Sequence, residues 1–374
     1  VTSPVASLAP LRVALLTYST KPRGGVVHTL NLAEALAASG VEVTVWSLAR
    51  KGDRGFFRDV DPAVRVRLVD FPDRGEESVT DRIVRSIALM RSEFTPGEYD
   101  VVHAQDCISA NAAGRCIRTI HHLDEFTTPV LAECHEKAVV EPYARICVSA
   151  AVAAEVAAGW GLHPTVIPNG VRAQRFIDAA SDTRSARNRR DDWRQRLGRY
   201  VLAVGGIEPR KGTIDLVEAY HLLRQRLPDV GLVIAGGETL FDYRDYRAAF
   251  EQKCADLDVE PVILGTLEDD ELPSLVAASA AFAFPSTKEG FGLAAMEALA
   301  AGRPVVTRDL PVLHEVFGDT VRYASTPAAF AEALVDALER GADPEPGRAL
   351  ASSLTWEDSA RRHVEFYRSN PMPR

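Results

Sequence analysis

The chain has 374 residues, 46% of them hydrophobic and 25% charged, which exceeds the usual size of a single core, favours two domains and excludes a largely disordered polymer. A formal net charge of −9 and a pI near 5.6 argue against a nucleic-acid binder, which must neutralise many phosphates. Cys107, Cys116, Cys134, Cys147 and Cys254 lack C-x-x-C spacing and suggest neither a disulfide framework nor a zinc site; without a signal-peptide pattern or a ~20-residue apolar run, the expectation is a cytoplasmic protein that spans no membrane.

RVALLTY at 12 to 18 reads as a strand that ends in the polar, glycine-bearing loop STKPRGG. A helix is expected from Val26 to Ala38, stopped by Gly40, with a second strand VEVTVW at 41 to 46. DRIVRSIALMRSEF, 81 to 94, is a basic amphipathic helix. Core packing is its first reading, and peripheral contact with an anionic membrane its second. Further strands are expected at YDVVHAQ (99 to 105), IRTIHH (117 to 122), ARICVSA (144 to 150) and PTVIP (164 to 168).

After the PNG turn at 168 to 170, the charged stretch 182 to 199 reads first as a solvated helix near a junction and second as a site for an anionic acceptor. The strand-helix alternation then resumes with YVLAVGG (200 to 206), GLVIAGG (231 to 237), VILGT (262 to 266), AAFAFPS (280 to 286) and RPVVTRD (303 to 309). In the closing helix, 355 to 368, Trp356, Ala360, Val364 and Tyr367 fall near one face, enough to dock it on a domain. The pattern predicts two doubly wound, mostly parallel sheets, with domains at 1 to 170 and 171 to 354 and the segment 355 to 374 packing back on the first. Ligands of such sheets bind beyond the carboxyl ends of the strands.

Two segments at such ends carry chemistry. In KEGFGLAAMEALAAGRPVV, 288 to 306, Gly290 and Gly292 stand at the mouth of an apolar helix pattern, where unpaired amides favour an anion and glycine lets a phosphate approach the backbone. Were all residues between Glu289 and Glu297 helical, the two carboxylates would lie about 12 Å apart at ~1.5 Å per residue, the reach from hexose to ribose in a nucleotide sugar. A capping carboxylate and a surface glutamate are the alternative. In GGIEPRKG, 205 to 212, Arg210 and Lys211 can neutralise a diphosphate, or simply form a basic loop before the next helix.

In order along the chain, PRGGVVHTLNLAEALAASGVEVTV, DVVHAQD, TIHH, VIPNGV, VGGIEPRKG, ILGTL and PSTKEGFGLAAMEALAAGRPVV resemble family 4 glycosyltransferases, over about residues 12 to 368. The E-x7-E pattern with its GFG segment is the most specific part. The resemblance implies the GT-B architecture, an α/β fold of two doubly wound Rossmann-like domains facing each other across a cleft. It further implies transfer of a hexosyl-type sugar from a UDP-, GDP- or ADP-linked donor to a small-molecule or lipid-linked acceptor, with retention and with neither cofactor nor obligatory metal. The donor would bind the C-terminal domain and the acceptor the N-terminal one.

By similarity, Glu289 contacts donor-sugar hydroxyls, the amides of Gly290, Phe291, Gly292 and Leu293 hold sugar and diphosphate, and Glu297 takes the ribose. Lys211 matches the phosphate-binding lysine, Gly24 and Gly25 approach the diphosphate and acceptor, and Thr266 and Leu267 present backbone to the base. His121 matches the active-site histidine, with His122 as a rival. Strand alternation would turn only one of the two toward the cleft. His28 and His103 read as hydrogen-bonded structural residues.

Two positions depart from the family. Gly206 stands where many members carry a diphosphate-binding arginine, so either Arg210 replaces it or the donor is bound with less charge. Arg172 occupies a usually acidic position after the PNG turn. A nucleotide-sugar epimerase and a non-catalytic two-lobed sugar-binding protein are the competing functions; the first would consume donor without acceptor. No strand is followed by G-x-G-x-x-G, which speaks against a nicotinamide dehydrogenase.

Overall fold

The computed structural model describes residues 10–50, 52–75, 77–124, 126, 128–237 and 243–373. The ends of the outer expected segments, 1–9 and 374, lie outside them. The chain divides into two compact units. The first runs to Cys147 and takes in Glu155–Gly170 and the chain from Trp356 onward; the second comprises Val148–Ala154 and Val171–Thr355.

The first unit holds strands β1 (Arg12–Leu16), β2 (Glu42–Arg50), β3 (Arg65–Phe71), β4 (Val101–Ala104), β5 (Ile117–Ile120), β6 (Ala144–Cys147) and β7 (Thr165–Val166). They form one sheet in the order β3-β2-β1-β4-β5-β6-β7, parallel throughout. Apolar side chains of Val13, Leu15, Val43, Val45, Val101 and Ile117 share a core with Leu30 and Leu36 of the helix Gly24–Ala38. Trp356, Ala360 and Tyr367 of the helix Trp356–Ser369 enter the same core, and Val364 packs against it.

The second unit holds β8 (Arg199–Val204), β9 (Val230–Ala235), β10 (Val262–Gly265), β11 (Ala281–Phe284), β12 (Val305–Arg308) and β13 (Arg322–Ala324), ordered β10-β9-β8-β11-β12-β13. Its inner strands β8, β9, β11 and β12 are buried on both faces, as parallel strands between two helical layers must be. Tyr200, Leu202, Phe282 and Phe284 belong to one core. The alternate positions Val201, Ala203, Ala281 and Ala283 belong to another, as a side-chain period of two dictates. In each sheet the strand order reverses once, between β1 and β4 and between β8 and β11, and crevices for ligands form at such switch points.

The doubly wound α/β class expected from the sequence is what both units show. Several element limits differ. The first helix begins at Gly24, two residues before the expected Val26, so Gly24 and Gly25 form its opening turn and not a loop. β3 was not anticipated: RVRLVDF alternates charge with apolar residues and is mostly exposed along the sheet edge, which hides it from a search for apolar runs. β13 is only three residues long and lies at the other unit's edge. β5 stops at Ile120, leaving His121 and His122 beyond it, so alternation along a strand does not decide between them.

The charged helix Arg184–Leu197 is largely solvated but anchored by Trp193, whose Nε1 donates to Ser274 Oγ at 3.0 Å. The basic amphipathic segment forms the helix Val79–Glu93, with Ile83, Ile87 and Met90 buried, in line with core packing. Among the described residues no helix is long and apolar enough to cross a membrane.

Candidate active site

At the carboxyl end of β8 the chain bends through Gly205 and the half-buried Gly206, then makes a single tight turn, Pro209–Lys211, before Gly212 opens the helix Thr213–Arg224. Gly212 has φ +61°, and a Cβ there would lie 2.3 Å from Pro285 O. Only glycine therefore allows this turn to rest on the loop that follows β11. That loop is pinned from both sides: Thr287 N donates to Arg210 O at 2.8 Å, and Arg308 Nη2 donates to Pro285 O at 2.9 Å.

The two loops together build an ionic cluster. Lys211 Nζ donates to Glu289 Oε1 at 2.6 Å, and Arg210 Nη1 reaches the same oxygen at 3.1 Å. Arg210 Nη1 also approaches Lys288 O, and its Nη2 approaches Glu208 Oε1, each at 3.3 Å. The Lys211 stem passes Gly205, where a Cβ would come within 3.3 Å of it, and its ammonium lies 5.3 Å from the Phe284 ring centroid. Burial pushes the Lys211 pKa below the ordinary lysine value, with Glu289 opposing and Arg210 adding to the effect.

Glu289 is not helical, contrary to the even helix assumed from the pattern. The helix is Leu293–Ala300, and Glu289, Gly290 and Phe291 lie in the turn before it, so the separation of about 12 Å calculated for a continuous helix does not describe this pair. Gly292 forces the break: its φ is +96°, and the Phe317 ring would be 3.0 Å from a Cβ there. No side chain caps the helix at Gly292, and Leu293 flanks this opening, packed on the unit's core. Glu297 lies on the helix, where burial raises its pKa to about 7; Arg175 and Arg172 pull it down and Asp269 pushes it up. Arg175 itself pairs with Asp269 at 2.8 Å.

The ends of β9 and β10 bring two further expected residues to this sheet edge. Gly236 N donates to Gly265 O at 2.8 Å. Thr266 Oγ1 would lie 2.2 Å from a Cβ at Gly237, while the Leu267 side chain packs on the core.

In the first unit, a Cβ on Gly25 would sit 3.6 Å from His121 Cδ2, so the first helical turn carries the imidazole. Gly24 has open space at that position. His121 Nε2 lies 3.3 Å from Gln105 Oε1, and its ring meets His28 edge-on at 4.7 Å. His28 Nδ1 bonds Asn169 Oδ1 at 2.8 Å. His103 bonds Tyr367 Oη at 2.8 Å and Thr119 Oγ1 at 2.7 Å. His28 and His103 are thus hydrogen-bonded within the unit, as expected of them. His122 turns elsewhere and pairs with Asp124 at 3.2 Å.

Burial holds this imidazole group uncharged: His28 is lowered to about 3 and His363 to about 4, while His103 and His121 fall well below the ordinary value. Sequence reasoning overlooked Glu208, Gln105, Arg175 and Asp269. Glu208 had a signal, as the one carboxylate inside the basic segment GGIEPRKG; the others are contacts across elements.

The family model described as "Glycosyltransferase Family 4" matches residues 22–175, and that described as "Glycosyl transferases group 1" matches residues 188–348. The chain belongs to glycosyltransferase family 4. Among its curated relatives is a D-inositol 3-phosphate glycosyltransferase of Pseudarthrobacter chlorophenolicus, 28% identical over 79% of this chain and 78% of the relative. Another is a phosphatidyl-myo-inositol mannosyltransferase of Mycolicibacterium smegmatis, 28% identical over 86% of this chain and 82% of that one. Solved structures show the same GT-B fold. HepE of Anabaena, in complex with UDP and glucose, aligns over 96% of this chain and 100% of its own, with a TM-score of 0.72 at 20% identity. Sucrose-phosphate synthase of Thermosynechococcus elongatus aligns over 96% and 98%, with a TM-score of 0.75 at 20% identity.

The neutral histidines have a consequence for this family 4 enzyme. Their folded-state pKa values lie below the unfolded value near 6.5, so the unfolded chain binds more protons and stability is lost as pH falls below about 6.5, by up to about 1.4 kcal/mol per pH unit for each histidine. Urea denaturation at pH 7, 6 and 5, followed through the tryptophans, should show the midpoint falling steadily; a midpoint independent of pH over this range would contradict a buried neutral cluster.

Proposed function

We propose that this glycosyltransferase moves a hexosyl group from a nucleoside-diphosphate sugar to an acceptor hydroxyl, with retention of anomeric configuration and without need of a metal ion. The observation that carries the reading is Glu289 held between Lys211 and Arg210 at the carboxyl edge of the second sheet. Two cations beside a carboxylate suit both parts of such a donor: the cations take the diphosphate, and the carboxylate takes sugar hydroxyls. Arg210 fills the role vacated at Gly206. The uncapped helix start near Gly290 to Leu293 adds amide donors, Glu297 accepts the ribose hydroxyls, and backbone around Thr266 and Leu267 meets the base.

In the transfer, the bond from the anomeric carbon to the diphosphate oxygen breaks and a bond to the acceptor oxygen forms on the same face, the acceptor proton passing to the departing phosphate. Lys211 and Arg210 stabilise the negative charge that develops on that phosphate. His121, neutral at physiological pH, contributes hydrogen bonding at the reacting sugar, while Gly24 and Gly25 let substrate approach the first helix. The first unit takes the acceptor. The two relatives named above act on inositol-bearing compounds, which makes cyclitols the first acceptors to test, with UDP-, GDP- and ADP-sugars as donors.

Calorimetry with UDP, GDP and ADP in EDTA should detect binding of at least one. Lys211→Ala and Arg210→Ala should each weaken it by roughly ten- to a hundredfold, the worth of a charge-assisted hydrogen bond. Binding that appears only on adding magnesium or manganese would refute the metal-free cradle.

Glu297 supplies a pH signature. Ribose hydroxyls donate to its ionised form, so nucleotide affinity should rise with pH through about 7 and binding should release protons. Titrations in buffers of differing ionisation heat would measure that release, which Glu297→Gln should abolish. Proton release unchanged in the variant would assign it to another group.

His121→Ala should retain nucleotide affinity and lose transfer by roughly two orders of magnitude, whereas His122→Ala should stay active. Proton NMR of the first-formed product should show the donor's configuration. An inverted product would remove the retaining mechanism.

A further inference from the structure

Arg50 is the last residue of β2 and so lies at the carboxyl edge of the first sheet, the edge at which parallel sheets receive ligands. Its guanidinium sits 4.5 Å from the Phe71 ring centroid, and its Nη2 donates to Ser86 Oγ at 3.1 Å. Its Nε is buried without a hydrogen-bond partner. Arg85 lies over the same ring at 3.8 Å, so one aromatic side chain carries two guanidinium groups.

Among the described residues no carboxylate pairs with Arg50. Glu77 is taken by two 2.6 Å bonds from Arg85 and comes within only 4.0 Å of Arg82. Asp106 is engaged by the backbone N–H groups of Tyr18 and Ser109, at 2.9 and 2.8 Å. Burial lowers the Arg50 pKa to about 10, Tyr18 opposes this, and Arg82, Arg85 and Arg23 add to the lowering by repulsion. In a chain of net charge −9, three further arginines act on one half-buried guanidinium that no carboxylate among the described residues compensates. Such an arrangement is unfavourable in isolation and becomes favourable when an anion arrives.

We propose that Arg50, with Arg82 adding to the positive potential about it, forms an oxyanion subsite that binds a phosphate carried by the acceptor. The assignment rests on the reading of the first unit as the acceptor-binding unit, and it narrows the acceptor to phosphorylated compounds. Arginine presents paired N–H donors that match phosphate oxygens, and the free Nε supplies a donor already desolvated. The phosphate itself takes no part in the bond exchange; it fixes the acceptor while a hydroxyl reacts.

The test uses the full chain with saturating UDP, so that the donor site is filled. Inorganic phosphate, myo-inositol 1-phosphate against myo-inositol, and vesicles of phosphatidylinositol against phosphatidylcholine are titrated in turn. Phosphate should bind in the presence of UDP and weaken roughly tenfold or more in Arg50→Gln and in Arg82→Gln, with Arg50→Lys intermediate and UDP affinity unchanged in all three. Arg50-dependent binding of the soluble phosphomonoester identifies a free phosphorylated acceptor. The same dependence seen only with phosphatidylinositol vesicles identifies a lipid headgroup.

Phosphate binding equal in wild type and in both folded glutamine variants, binding abolished by UDP, or no binding at millimolar phosphate would each overturn the subsite. A protein that binds phosphate in this Arg50-dependent way but fails to bind any nucleotide would instead sink the donor reading and leave the subsite standing.

Discussion

Lys211 and Glu289 come from loops that lie far apart in sequence, and their 2.6 Å contact is available only because the turn after β8 can press against the loop after β11. That approach depends on the missing side chain at Gly212, where a Cβ would collide with Pro285 O. Everything assigned to the second unit follows from the apposition: Arg210 arrives beside the same carboxylate, Glu208 holds Arg210 from the other side, and Arg308 secures the Pro285 carbonyl. A parallel sheet whose strand order reverses at β8 and β11 places these two loops side by side. The site is thus a product of topology first and of side-chain chemistry second.

The two units handle buried ionisable groups in opposite ways. His121 and three neighbouring imidazoles are kept neutral by burial, and hydrogen bonds to Asn169, Tyr367, Thr119 and the Ser359 carbonyl hold His28, His103 and His363 in place. A neutral, oriented histidine is suited to hydrogen bonding with a sugar and unsuited to carrying fixed positive charge. Around Glu289 the charges remain and are paired, which keeps two cations desolvated and ready without leaving either uncompensated. Glu297 stands between these cases, with a pKa near physiological pH, so its charge is set by what binds.

Much of this was legible in order along the chain. Short apolar runs identified most strands, because a parallel strand buried on both faces must be nearly continuous in apolar residues. β3 escaped because an edge strand has no such requirement, and the helix Leu293–Ala300 proved shorter than its pattern because Gly292 adopts a left-handed conformation that apolar periodicity cannot report. The cations Arg210 and Lys211 and the carboxylates Glu289 and Glu297 were recognisable from motif spacing. Gln105, Arg175 and Asp269 were not, since each matters through a partner on another element, whereas Glu208, two residues from its partner Arg210, stood in the basic segment and was passed over.

The sequence by itself determined the α/β class, the family and the residue types gathered at the strand ends, for these rest on local periodicity and ordered motifs. Tertiary structure decided how those residues pair and which charges they keep. It put Lys211 on Glu289, separated His121 from His122 after the strand had ended at Ile120, raised the pKa of Glu297 and, among the described residues, left Arg50 without a carboxylate. Pairing and protonation depend on distance and desolvation between segments remote in the chain, and neither quantity is written in the order of residues.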